Sequence, residues 1–153
     1  MSGYDWSSFW ANMRSAIGAV WPEVVPNGIA KTVRLEMLDF DRLTAPRCVL
    51  QPGAARRTDW AMTTQDYELT LRVYYVARIS TQEDRAELVE ERLEALRDYL
   101  IGTGLSKGQV LEVEEIDASE TSPINHLLIG QKKPFVGGGL TVRIRVGVLA
   151  RDE

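Results

Sequence analysis

The chain has 153 residues, 44% of them hydrophobic and 26% charged, with a formal net charge of −4. That length suits a single domain over 1–153 with a sizeable core, and the composition excludes a disordered tail, a collagen-like repeat or a disulfide-stapled miniprotein. A lone cysteine, Cys48, and a lone histidine, His126, exclude an internal disulfide, a multi-thiolate zinc site and a histidine-rich metal cluster, and the acidic balance does not suit a nucleic-acid binder.

The start, Met1 to Trp10, carries Asp5 and no basic residue, which is not the pattern of a secretory signal. No run of about 20 apolar residues occurs, so no membrane helix is expected. The expectation is a chain made and kept in a reducing cytoplasm, or in an assembly built there.

The first predicted element is a helix from about Ser7 to Trp21. Trp6, Trp10, Met13, Ile17 and Val20/Trp21 recur at three- and four-residue steps and form one stripe. Asp5 or Ser7 can cap it, and Pro22 stops it because proline supplies no amide and disfavours helical geometry at Trp21. The tryptophan stripe is expected to pack over a sheet. Residues Val25 to Leu43 open with the turn Pro26-Asn27-Gly28. Val33, Leu35 and Met37 alternate like a strand, while Ile29, Val33 and Met37 also fit a helix; an extended connector with a short helical turn is favoured. Arg47-Cys48-Val49-Leu50 follows Pro46 as a short strand closed by Gln51-Pro52-Gly53.

The clearest strand is Tyr67 to Ile79, where Tyr67, Leu69, Leu71, Val73, Tyr75, Ala77 and Ile79 alternate with wetter positions. A one-residue slip would turn that whole set into water, so its register is fixed by its own pattern. A second helix is predicted from about Gln82 to Leu100, capped by Thr81 and ended by Gly102 and Gly104. Its apolar stripe is Val89, Leu93, Leu96 and Leu100, and Glu83, Asp84, Glu87, Glu90, Glu91 and Glu94 make its solvated face. Two more strands are expected at Gln109–Ile116 and Leu140–Ala150. Between them Asp117 to Gly139, with Ser122-Pro123 and Gly137-Gly138-Gly139, reads as a long projecting loop, as does Pro52 to Thr64 around Arg56-Arg57. Loops of that length are uncommon in compact domains and often functional.

The order helix, strand, strand, helix, strand, strand gives an α+β fold: two helices on one face of a four-stranded, mainly antiparallel sheet. Catalytic chemistry finds little support. His126 is the only imidazole, on a loop, and Cys48 reads as a buried, inert thiol. Asp39 with Asp41, and Glu112, Glu114 and Glu115, are carboxylate groupings of the kind that 22 acidic residues produce by chance. Gly137-Gly138-Gly139 lacks the lysine and helix of a phosphate loop and reads as a flexible or close-packed turn. The expectation is a protein that is not an enzyme and holds no metal or cofactor.

The layout, together with local texture, resembles the tail terminator (tail completion, head–tail joining) proteins of long-tailed, siphovirus-like phages. The segments that carry the resemblance are the opening helix ending Val20-Trp21-Pro22, Pro46 to Gly53, the strand Tyr67 to Val76, the acidic helix, Ser122-Pro123-Ile124-Asn125, and the closing Val146-Gly147-Val148. The resemblance implies a structural virion protein in the tail or neck. Such a protein forms a ring, hexameric in the family, that caps the tail tube, stops its polymerisation and meets the head connector or stopper protein. DNA would pass through the lumen without specific binding, past a neutral or acidic wall, and no membrane is involved.

Under that reading the partners are further copies of the chain, the major tail tube protein and the connector. Arg56 and Arg57 would present forked donors to acidic partner surfaces. Ile124, His126, Leu127, Leu128, Ile129 and Phe135 would be contact residues on the second loop, the apolar ones acting as anchors. Another neck protein (a stopper or minor capsid component) and a small α+β ligand- or peptide-binding module with tryptophans lining a pocket are the alternatives. A small enzyme using carboxylates comes last.

Overall fold

The computed structural model describes residues 6–32, 34–39, 42–53, 56–57, 64–78, 85–102, 109–117, 123–130 and 135–149. The fold is α+β, with three α-helices among the described residues packed against one mixed sheet. Helix α1 runs Trp6–Val20, followed by a 3-10 turn at Pro22–Val24; strand β1 is Ile29–Lys31, and a second 3-10 turn spans Leu35–Met37. Strands β2 (Arg47–Pro52), β3 (Arg56–Arg57) and β4 (Thr64–Arg78) come next, then helix α2 (Arg85–Gly102), strand β5 (Gln109–Asp117), helix α3 (Pro123–Gly130) and strand β6 (Phe135–Leu149).

The sheet order is β1-β2-β4-β6-β5, with β3 paired to β4 off that path. At its centre β4 and β6 pair antiparallel along their full length, from Thr64↔Leu149 to Arg78↔Phe135. β2 joins the other side of β4 antiparallel, Arg47↔Val76 to Pro52↔Leu71, and β5 joins β6 with register shifts between Val110 and Glu112 and between Val113 and Ile116. β1 adds a short parallel pairing to β2, Ile29↔Cys48 to Lys31↔Leu50. The connector between Val25 and Leu43 is thus largely the extended chain with helical turns that its mixed periodicity suggests.

Strand alternation sorts the core into two clusters. On the first face Cys48 and Leu50 of β2, Leu69, Leu71, Val73, Tyr75 and Ala77 of β4, and Leu140, Val142 and Ile144 of β6 meet Met13, Ala16 and Ile17 of α1 and Val89, Leu93, Leu96 and Leu100 of α2. Both long helices therefore lie on one face, with Met13 and Ile17 of α1 and Val89, Leu93, Leu96 and Leu100 of α2 on the stripes their spacing predicts; the side chain of Trp6 lies outside the described residues. Trp21 closes this layer: fully buried, it donates from Nε1 to the Arg92 carbonyl at 2.8 Å and meets the Tyr75 ring edge-on at 5.0 Å between centroids. Tyr75 in turn donates its hydroxyl to Glu23 Oε2 at 2.9 Å, and Arg92 lies 3.0 Å from the same oxygen. One buried tryptophan thereby ties the end of α1 to α2 and the central strand.

The second face holds a smaller core of Val49, Tyr74 and Val76 from the sheet, Leu35 and Leu43 from the connector, and Ile124 and Leu128 from α3. This layer corrects the reading of 117–139 as a projecting loop. Pro123 begins a helix, a position where its missing amide costs nothing, and Ile124, Leu127 and Leu128 fall on one side of it. Gly137, Gly138 and Gly139 are not a turn but part of β6, paired with Val76, Tyr75 and Tyr74. A Cβ at Gly139 would sit 2.6 Å from the Tyr74 ring, and one at Gly137 would sit 2.7 Å from the Tyr75 carbonyl oxygen and 3.3 Å from Ile124. The glycines are the space into which Tyr74 and α3 pack.

Candidate functional site

The second face is where most of the contact candidates gather, and the structure separates them. Ile124 and Leu128 are completely buried and serve this chain's own core, so they are not exposed anchors. The physical reason is the unpaired apolar face of β2 and β4: Val49, Tyr74 and Val76 need a cover, and α3 supplies it. Leu127 and Phe135 are half-buried and pack against the same cluster, whereas His126 is exposed on the outer side of α3, on a helix rather than a loop. The side chain of Ile129 lies outside the described residues.

Arg56 and Arg57 form β3, which pairs with β4 as Arg56↔Glu68 and Arg57↔Tyr67. The loop from Pro52 to Thr64 is thus partly folded back along the sheet; the two arginine side chains lie outside the described residues. Of the carboxylate groupings, Asp39 is exposed and 3.6 Å from Arg42, Asp41 lies outside the described residues, and Glu112, Glu114 and Glu115 belong to β5 with side chains outside them.

Asn125 is the polar residue that sequence reasoning did not single out. It is buried, and its Oδ1 accepts a 2.6 Å hydrogen bond from the Gly137 N–H, beyond the last β5–β6 pair, Asp117↔Gly139. Asn125 thus continues the hydrogen bonding of β6 where β5 stops, and it locks α3 to the sheet. The signal was present in the sequence: a proline-initiated apolar run with one amide at the position after Ile124.

Beside α3 the second face opens into a hollow of about 280 Å³ lined by Leu35, Glu36, Gln51, Arg72, Tyr74, His126 and Leu127. Its floor is the sheet, its walls are α3 and the Leu35–Met37 turn. Tyr74 donates its hydroxyl to Gln51 Oε1 at 2.9 Å. Burial raises the Tyr74 phenol above its ordinary 10.0, and the neighbouring Arg72 guanidinium pulls it partly back, so the ring stays protonated at neutral pH. The hollow therefore offers hydroxyl, amide, guanidinium and imidazole groups beside one carboxylate, a lining suited to holding a polar or anionic side chain.

Further along the same face no helix among the described residues packs on the sheet. Thr70 pairs with Arg143 and Arg72 with Thr141, a polar row in which Arg143 lies 4.0 Å from Glu68. On the other side of the molecule α2 turns Glu87, Glu90, Glu91, Glu94 and Asp98 outward, with Arg97 among them. Cys48 lies in the first core, where burial pushes its thiol far up from the ordinary 9.0, and His126 is on the opposite side of the sheet. The lone thiol and the lone imidazole are thus kept on opposite sides of the sheet. Trp10 is half-buried, with Lys31 Nζ 4.0 Å above its ring. No helix among the described residues is long and apolar enough to cross a membrane.

No protein-family model matches the chain, and no curated protein matches it. Among solved structures it is similar to the sheath/tube terminator of an extracellular contractile injection system (PVC) in its extended state, determined by cryo-electron microscopy. The identity is 14% and the TM-score 0.41, over 93% of this chain and 57% of that one. This chain thus spans little more than half the length of that protein.

Proposed function

We propose that the chain is a structural protein of a phage-type tail, a terminator that forms a ring on the end of the tail tube, ends its growth and offers a surface to the head connector. The reading rests on the chain's own residues rather than on the distant neighbour. What carries it is the run of resembling segments in one order across the chain, from Val20-Trp21-Pro22 to Val146-Gly147-Val148. The α+β body supports it: a sheet covered on one face by α1 and α2, and partly on the other by α3, is a stiff platform. Such a part works by binding, without catalysis, and belongs to the tail or neck of the particle. The ring is hexameric, and DNA slides through a lumen that is neutral or acidic, because phosphate contacts from lysine or arginine would create drag.

The test is co-assembly with a phage-type tail tube protein. Tubes grown with the chain present should stop at shorter, capped lengths in electron micrographs, and the chain should sediment with them. Tubes that grow unchanged while the chain stays in the supernatant would refute the reading. The hollow lined by Arg72, Tyr74 and His126 favours a second reading, a ligand- or peptide-binding module. The residues that line the hollow include no tryptophan, so that reading expects a stable monomer that retains a ligand in equilibrium dialysis and loses it when Arg72 is replaced by Ala.

A further inference from the structure

We infer that the hollow beside α3 binds a free zwitterionic amino acid with an aliphatic side chain, its carboxylate on Arg72 and its ammonium on Glu36. The inference rests on the ligand-binding reading of that hollow, whose ligand class it names, and needs nothing from the terminator reading. Two unlike charges line this one space without meeting. Arg72 belongs to β4, in the floor, and Glu36 to the Leu35–Met37 turn that makes one wall. Among the described residues neither is held in an ion pair.

That arrangement selects the occupant. An anion with no positive group meets the Glu36 carboxylate, and a cation with no negative group meets the Arg72 guanidinium, so each faces a like charge. A molecule that carries both charges a short distance apart satisfies floor and wall at once. His126, on α3, is the remaining ionisable group of the lining.

The hollow is also prepared for the carboxylate end. Tyr74 is buried, donates its hydroxyl to Gln51 Oε1 at 2.9 Å and accepts from the Arg72 guanidinium. Arg72 is thereby oriented from below, and its other N–H donors can make a forked contact with a carboxylate. Leu35 and Leu127 form the apolar part of the lining, against which a hydrocarbon side chain can pack. At about 280 Å³ the space falls just below the roughly 300–1,000 Å³ of sites for drug-sized molecules, which suits a single amino acid better than a peptide.

The experiment is equilibrium dialysis of the full chain at pH 7 against leucine, leucine amide, which lacks the negative charge, and N-acetyl-leucine, which lacks the positive one. Leucine should be retained, and each blocked form should bind about tenfold or more weakly, for the loss of one charge-assisted contact. Arg72→Gln and Glu36→Gln should each weaken leucine by a similar factor; both positions are exposed, and circular dichroism melts establish that the variants are folded. Glu36→Gln should bind N-acetyl-leucine more tightly than the wild type does, because the repelling carboxylate is gone. Arg72→Gln should do the same for leucine amide.

Leucine that is not retained at millimolar concentration, blocked forms within about twofold of it, or variants that bind it as the wild type does would overturn the inference. A pool of short peptides with both ends blocked separates this from the broader reading. Peptides retained through Arg72 where leucine is not would sink the amino acid and leave a ligand-binding hollow standing. Retention of neither would sink both.

Discussion

Replacing Gly137 by alanine isolates the claim that the glycine run is packing space rather than a turn. Gly137 has no positive φ, so alanine meets no backbone penalty there and gains about 0.4–1 kcal/mol from a less flexible unfolded chain. Against that gain stands a Cβ at 2.7 Å from the Tyr75 carbonyl oxygen and 3.3 Å from Ile124 Cγ2. The oxygen belongs to the central strand β4, paired on both sides, and cannot rotate away. Overpacking of this kind costs about 1–3 kcal/mol. The displaced strand also weakens the Asn125–Gly137 hydrogen bond, for about 1 kcal/mol more. The net loss is about 1–3.6 kcal/mol, which at an m-value of about 2 kcal/mol/M lowers the urea midpoint by roughly 0.5–1.8 M. Gly139→Ala should cost less, because its 2.6 Å contact is with the Tyr74 ring, a side chain that can tilt by giving up its bond to Gln51. Gly102→Ala, at the end of α2 with open space around it, is the control and should be neutral or slightly stabilising. A Gly137→Ala midpoint within 0.2 M of wild type would refute the reasoning.

Two further outcomes follow from the buried polar groups. Asn125→Ala leaves the Gly137 N–H without its acceptor in a buried site and should cost about 1–3 kcal/mol, read as the shift in urea midpoint; an unchanged midpoint would mean that α3 does not depend on that bond. In alkali, Cys48 and Tyr75 keep their protons in the folded chain after the unfolded chain has lost them near the ordinary 9.0 and 10.0. For Tyr75 burial is the larger cause and the Glu23 carboxylate the next. Their contribution is therefore complete below pH 9 and is lost as pH rises. Each retained proton steepens the fall in unfolding free energy by about 1.4 kcal/mol per pH unit. Tyr75→Phe should flatten the slope above pH 10 by that amount in denaturant titrations, and an identical slope would remove the phenol from the account.

The first sheet face was legible because its signals were redundant. Val89, Leu93, Leu96 and Leu100 have no strand alternative, and Leu69 to Ala77 have no helical one, so period and composition agreed. α1 ended at Pro22 for a local reason that the chain carries in one residue. β1 was harder: three residues parallel to β2 hold their place through the pairing with Cys48, Val49 and Leu50, and nothing within Ile29-Ala30-Lys31 announces it. The contact residues were legible in type and misplaced in exposure. Leu127 and His126 do line a surface hollow, while Ile124 and Leu128 face inward.

The misplacement has a single physical root. A glycine triplet usually marks a turn, because glycine tolerates conformations that other residues avoid. Here its second property, the missing side chain, is the one in use, and it can be recognised only by asking what lies across the sheet. Tyr74 is directly opposite Gly139, and it is a large residue at a position of β4 that the alternation assigns to the wet face. A tyrosine and a valine, Tyr74 and Val76, on the nominally wet side opposite two glycines already require a cover on that side. The nearest apolar run without another role is Pro123 to Gly130. With α3 seated there, shortening 117–139 is not a clean probe of assembly, because it strips Ile124 and Leu128 from the core and would unfold the second face whether or not the ring exists.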